Sequence, residues 1–274
     1  MIPERSGPFH PTVAEEVVAV ISNVLVNGEY RHLVVSTSEL AATAAPGQFY
    51  QLLCPAPPGE APYLRRPMSL YGADPVHRRV EFLYKVTGAG TRGLATLAPG
   101  DTMHLLGPLG RGYTLDNAWK HIVAVGRGAG LATLGPLARA ARAAGIGVTA
   151  ILSARRPDLV VSDALFRQHG ATVVTVTDTE RNSGPAHVER ILRGLIAEHR
   201  CDAFFTCGSS RLLRVQQILA REFDVPGQVA MEQQMACGLG MCFCCVRDFN
   251  VGGDLVHKRV CWDGPVFDIQ EALP

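Results

Sequence analysis

Four of the eight cysteines in this 274-residue chain, Cys237, Cys242, Cys244 and Cys245, fall within nine consecutive positions. Thiols crowded in this way point to a metal site rather than a disulfide framework when the compartment is reducing. Four residues separate Cys237 from Cys242, two separate Cys242 from Cys245, and fifteen more lead to Cys261. That is the C-x4-C-x2-C…C spacing of a plant-type 2Fe-2S centre, in which Cys244 is the spare thiol. Gly238 and Gly240 lie between the first two ligands, where backbone without side chains can wrap around inorganic sulfides and offer N–H donors to them. Two other readings of this constellation stay open, a zinc site with four cysteine ligands and buried unligated cysteines, while Cys54 reads as a buried apolar residue. Zinc knuckles usually set their cysteines in two close pairs, whereas here three ligands share one loop.

A second group of residues suits an anionic ligand. Arg66-Pro67-Met68-Ser69-Leu70 follows the Pro-rich stretch 55–62. A guanidinium pairs with a pyrophosphate or stacks on a flavin, proline fixes the approach, and the serine hydroxyl bonds the ligand. Taken alone, the same pentapeptide reads equally well as a strand start with a surface arginine. Further on, Gly126, Gly128 and Gly130 form a glycine-rich turn ahead of an apolar helical period, where backbone can approach a phosphate or nicotinamide. Arg127 within that turn reads either as an obstruction or as an added cation. Cys207-Gly208 follows a strand and reads as a buried structural cysteine. Arg155 and Arg156 read as a solvated loop pair or as a seat for a 2′-phosphate.

The elements that must position these residues fall into three stretches. Short strands are predicted at 17–26, 30–36, 48–53, 68–72, 80–86 and 102–106, separated by Asn27-Gly28, Pro46-Gly47 and Pro99-Gly100, with almost no helical period. This pattern predicts an N-terminal antiparallel β-barrel domain over 13–115. From His121 the pattern changes to strands at 121–125, 148–153, 171–177 and 202–206, alternating with helices at 131–144, 163–169, 188–199 and 209–223. That βαβα order predicts a Rossmann-like parallel sheet over 116–226. The remaining Gly- and Cys-rich segment, 227–274, is small for an independent core, and a metal centre would help to hold it together.

The bulk numbers exclude more than they assign. A hydrophobic content of 47% and a net charge of +1 describe a globular protein with no global field for nucleic acid or an anionic membrane. No apolar run is long enough to cross a bilayer, and the stretch from Met1 to Pro8 lacks the apolar region of a signal peptide, so the expected location is cytoplasmic.

Several runs together carry a family resemblance. Pro46-Gly47-Gln48-Phe49, Arg66 to Ser69, Leu83-Tyr84-Lys85-Val86-Thr87-Gly88-Ala89-Gly90-Thr91, Pro99-Gly100-Asp101 and Gly107-Pro108-Leu109-Gly110-Arg111-Gly112-Tyr113 resemble, in order and spacing, the FAD domain of the ferredoxin reductase superfamily. With Met231-Glu232, Met235-Ala236-Cys237-Gly238 and Cys261-Trp262-Asp263-Gly264-Pro265-Val266-Phe267, the chain is most similar to the electron-transfer subunit family of dihydroorotate dehydrogenase, from about Val17 to Phe267. The resemblance implies FAD held by Arg66, Pro67, Met68, Ser69, Leu83, Tyr84, Lys85, Gly90 and Thr91, and NAD(H) or NADP(H) at Gly126, Gly128, Gly130 and Cys207. It implies a 2Fe-2S cluster on Cys237, Cys242, Cys245 and Cys261. It further implies electron transfer between NAD(P)H, FAD, the cluster and a catalytic partner, an FMN-containing TIM barrel in a heteromer such as a heterotetramer. No acid–base triad is expected in this chain. The family usually has glycine where Arg127 stands, proline where Thr133 stands and Cys-Gly-Pro where Ser209 ends the run, so the dinucleotide site departs most from the pattern. The same relay serving a different oxidoreductase, or a non-catalytic redox sensor, are the alternative expectations.

Overall fold

The computed structural model describes residues 13–274. The run from Met1 to Pro8, read above for the absence of a leader, lies outside the described residues. β1 (Ala14–Leu25), β2 (Tyr30–Ser36), β3 (Phe49–Leu53), β4 (Arg66–Ser69), β5 (Gly72–Asp74), β6 (Arg79–Lys85) and β7 (Thr102–Leu109) form one antiparallel sheet in the order β4-β3-β7-β1-β2-β6-β5. The strand expected over 68–72 is broken, because its residues serve both edges of this sheet. The Leu70 N–H donates to the Gln48 carbonyl at 3.0 Å, beside β3, and the next N–H, of Tyr71, donates to Glu81 on β6 at 2.9 Å. Two consecutive peptides therefore draw the sheet's edges together around Leu33, Leu52, Phe82 and Leu105, all fully buried.

A helix that was not expected, α1 (Ala89–Thr96), lies between β6 and β7. Thr91 Oγ1 accepts from the Thr87 and Gly88 N–H groups at 2.8 and 3.0 Å, fixing its first turn.

The second sheet contains β8 (His121–Arg127), β9 (Gly147–Ala154), β10 (Thr172–Thr177), β11 (Ala203–Cys207), β12 (Gly227–Ala230) and β15 (Val266–Asp268), in the order β10-β9-β8-β11-β12-β15. The first five are parallel and β15 is antiparallel to β12. Strand alternation divides its core in two. Ile122, Ala124 and Phe205 face α2 (Gly130–Ala143) and α3 (Asp163–Gln168), whereas Val123, Val125 and Phe204 face α4 (Pro185–Ala197) and α5 (Ser210–Phe223). In α2, Leu131, Leu134, Leu137, Ala138 and Ala141 recur at helical spacing and are buried.

The segment from 227 onward thus supplies two strands to the parallel sheet as well as the hairpin β13 (Val246–Val251) and β14 (Asp254–Arg259). Its Met235, Cys245, Phe249 and Cys261 share one apolar cluster with Phe49 and Leu109 of the barrel and with α4 and α5. Among the described residues no helix is long and apolar enough to cross a membrane.

Candidate functional site

The loop between β12 and β13 carries three of the four candidate ligands, and the turn after β14 carries the fourth. Cys245 and Cys261 are buried, Cys237 is half-buried and Cys242 is exposed. Backbone donors are directed at three of the sulfurs: Leu239 N–H to Cys237 Sγ at 3.3 Å, Gly240 N–H to Cys261 Sγ at 3.2 Å and Cys261 N–H to Cys245 Sγ at 3.4 Å. Burial alone raises the Cys237 thiol, but the N–H groups of Leu239, Cys242 and Met241 and the Cys242 side chain outweigh it, bringing the thiol down to about 7. Burial first, and then the adjoining Cys245 thiol, push Cys261 up to about 12. Cys237 interacts most directly with Cys242 and Cys261 with Cys245, while the charge of Cys237 also reaches Cys261. Among the described residues no three His, Cys, Asp or Glu side chains gather as a single metal ion requires. Two pairs suit two irons, and the directed N–H groups suit anionic sulfur, so the donor set fits a 2Fe-2S cluster.

The loop is braced from its outer side. Arg259 donates to the Gly240 carbonyl at 3.0 Å, pairs with Asp263 at 3.2 Å and lies 5.2 Å from the centre of the Phe243 ring. Cys244 is exposed, and its thiol lies 3.9 Å from the Gln234 carbonyl oxygen.

A cleft of about 870 Å³ opens between the barrel, the start of α2 and the residues that lead into the loop. Arg66, Pro67, Met68, Ser69, Leu83, Tyr84, Lys85 and Thr91 all line it, so eight of the nine residues expected at the flavin come together. The ninth, Gly90, lies against the Arg66 side chain. Arg65, Arg66 and Lys85 give the cleft a cationic side, and Met68, Leu83 and Met235 give it an apolar one. Cations beside the start of α1 suit a diphosphate, and the apolar wall suits a planar ring, so the lining fits FAD.

The glycine-rich turn stands at the carboxyl end of the second sheet. A β-carbon at Gly130 would lie 2.5 Å from the Cys207 carbonyl oxygen, so α2 can start this close to β11 only with glycine there. Ala129 and Ala132 line the large cleft, whereas Gly126, Gly128 and Gly130 do not. Cys207 and Gly208 line a smaller cavity of about 220 Å³ together with Ser209 and Glu232. Cys207 is 2% exposed, and burial drives its thiol pKa far above the ordinary value. Ser209, at the position where the family pattern has proline, caps α5 by accepting from Leu212 N–H at 3.4 Å.

Arg127 is engaged within the chain. Its guanidinium donates to Ser153 Oγ at 2.8 Å and to both carboxylate oxygens of Asp178, at 3.2 and 2.6 Å, tying the ends of β8 and β9 to the loop after β10. This ion pair holds the Asp178 carboxyl below its usual range. Arg155 pairs with Glu29 of the barrel, which also accepts from Lys85 at 2.6 Å, and Arg156 pairs with Asp158 at 2.8 Å.

Three participants were not anticipated from the sequence. Asp178 and Glu29 are far along the chain from the arginines they meet, and no local motif marks them. Glu232 belongs to the Met231-Glu232 run of the family resemblance, and it lines both cavities. Glu232 is solvent-exposed within the cleft, and the walls around it partly desolvate its carboxyl and raise it above the usual range.

A half-barrel, a parallel nucleotide-binding-type sheet and a four-cysteine loop joined by one cleft define a ferredoxin reductase-like electron-transfer protein. Residues 232–273 match the model of the iron-sulfur cluster binding domain of dihydroorotate dehydrogenase B. The chain is 32% identical over 231 residues to the dihydroorotate dehydrogenase B (NAD(+)) electron transfer subunit of Desulforamulus reducens, covering 84% of this chain and 87% of that one. It is 32% identical to the same subunit from Bacillus caldolyticus, covering 95% and 99%. Among solved structures, an NADH-dependent reduced ferredoxin-NADP oxidoreductase superposes with a TM-score of 0.78 at 27% identity, over 93% of this chain and 89% of that one. Ferredoxin-NADP+ reductase from Plasmodium falciparum shares the fold at a TM-score of 0.60 and 10% identity, over 76% and 90%. The chain belongs to the family of dihydroorotate dehydrogenase B electron transfer subunits.

Proposed function

We propose that this chain holds FAD in the large cleft and a 2Fe-2S cluster on Cys237, Cys242, Cys245 and Cys261, and relays electrons between NADH and a catalytic dihydroorotate dehydrogenase subunit. The observation that carries the reading is a shared wall: Met231, Glu232 and Met235 line the cleft, and Met235 stands two residues before Cys237. Bound flavin supplies paired electron exchange with a nicotinamide and single electron exchange with an iron–sulfur centre. Arg66 neutralises the diphosphate, Lys85, paired with Glu29, lines the same cleft, Ser69 hydrogen-bonds the ligand, and the Leu239, Gly240 and Cys261 N–H groups offset the charge on the ligand thiolates.

The nicotinamide end lies at the smaller cavity beside Cys207, Gly208 and Glu232, with the adenosine towards Arg127, Arg155 and Arg156. Each of these three arginines is already paired with a carboxylate, so a 2′-phosphate would meet Asp178, Glu29 and Asp158. This favours NADH over NADPH.

The partner meets the exposed side of the cluster loop, where Met241 and Phe243 are 80% and 62% exposed. We assign it as an FMN-containing TIM-barrel subunit in a cytoplasmic heterotetramer. Mixing the chain with a catalytic dihydroorotate dehydrogenase B subunit tests this: a stable complex that reduces NAD+ with dihydroorotate is expected, and two separate proteins with no such activity would overturn it. The likeness to a ferredoxin-NADP oxidoreductase over 93% of the chain supports a second reading, the same relay serving another oxidoreductase. Ferredoxin-linked NADH oxidation without dihydroorotate activity would select it.

A further inference from the structure

Gln51 is fully buried, and neither its Nε2 nor its Oε1 has a hydrogen-bond partner among the described residues. Along β3, Tyr50 and Leu52 point into the barrel core, while Phe49 packs in the apolar cluster that holds Met235, Cys245, Cys261, Leu239 and Trp262. By strand alternation Gln51 shares the face of Phe49. Its amide meets the cluster loop: a β-carbon at Gly238 would lie 2.8 Å from Gln51 Nε2. Gly238 has φ +72° and directly follows Cys237, so both its conformation and its contact with Gln51 exclude a side chain. On its other side Gln51 pairs across the ladder with Pro67 of the flavin-cleft motif.

An amide left unsatisfied in such surroundings destabilises the fold, and leucine or methionine would fill the same space without that cost. An acceptor on the cluster side satisfies the amide N–H, the group that faces Gly238, and sulfur is one. We propose that Gln51 donates its side-chain N–H to a sulfur of the Cys237 half of the cluster and thereby raises the cluster's reduction potential. A donor at that sulfur favours the reduced, more negative state. The proposal rests on the ligand assignment made above. It makes Gln51 a positioning and tuning residue between the two cofactor sites.

The test uses the holoprotein labelled with 15N in its glutamine side chains and reduced anaerobically. Electron–nuclear double resonance of the reduced cluster is expected to show a 15N coupling that Gln51→Met abolishes. In redox titrations the Gln51→Met cluster should have a more negative midpoint, with iron content, FAD content and flavin potential unchanged. Gln51→His, which restores a donor, should recover part of the shift. Absence of the coupling in the unsubstituted protein, or an unchanged midpoint in an iron-replete Gln51→Met protein, would overturn the proposal. If Gln51→Met does not assemble its cluster, the presence or absence of coupling in the unsubstituted protein decides. An unsubstituted protein without iron contradicts the ligand assignment instead, so the two failures are distinct.

Discussion

The Arg66 side chain lies against the Gly90 backbone: a β-carbon at position 90 would stand 2.9 Å from both Cγ and Nε of Arg66. The start of α1 and the arginine on β4 are thus fitted to each other, with no room for a methyl group between them. Gly90→Ala should displace the guanidinium from the cleft and weaken FAD binding about tenfold, equivalent to ~1.4 kcal/mol, while leaving the iron content unchanged. Flavin fluorescence titration of the deflavinated protein measures this, and unchanged affinity would mean that Arg66 does not hold the cofactor.

Cys242 and Cys244 are both exposed, and Cys242 hydrogen-bonds Cys237 through its backbone and side chain. Cys242→Ser should abolish the cluster with FAD retained, whereas Cys244→Ser should keep both. Iron and sulfide analysis of the two variants discriminates, and a cluster retained in the first but lost in the second would shift the ligand register by two residues.

The ion pair of Arg127 with Asp178 predicts dinucleotide preference. Asp178→Ala removes the carboxylate partner and leaves the guanidinium beside the adenosine site, so the ratio of kcat/KM for NADPH to that for NADH should rise about tenfold. Steady-state diaphorase assays with an artificial acceptor give the ratio. An unchanged ratio would place the 2′-position elsewhere.

Much of this was legible in the sequence, for identifiable reasons. The cysteine register and the Arg66 to Ser69 motif are local, and eight of the nine residues expected at the flavin line one cleft. The helix α1 was missed because its Gly90 and Gly93 weaken helical propensity, and both are there for close approach: a β-carbon at Gly93 would lie 1.8 Å from the Pro55 carbonyl. The short strands β12 and β15 carry no period of their own and take their conformation from sheet neighbours. The reading of Arg127 turned on Asp178, 51 residues away, and that of Gln51 on which face of a strand covered on both sides it occupies. Distances of that kind along the chain leave no local pattern.

Acid sensitivity of the barrel is predicted to run through Glu81. The His32 Nε2 hydrogen bond, at 2.8 Å, lowers the Glu81 carboxyl against the opposing effect of burial. A carboxyl lowered by folding contributes stability above its unfolded pKa and loses it as pH falls through the folded value. Glu81→Gln should therefore cost roughly 0.5 kcal/mol at neutral pH, the pair being part-exposed, and nothing once the pH lies below the ordinary carboxylate range. Thermal denaturation across that range checks the sign, and a constant difference at every pH would exclude this origin.

The most direct test of the relay is the visible absorption spectrum of the anaerobically purified protein before and after NADH is added. FAD and 2Fe-2S bands that both bleach are the predicted result. A protein that carries zinc in place of iron, or one whose flavin and iron–sulfur bands persist in excess NADH, would contradict an NADH-linked path through this cleft to the four cysteines.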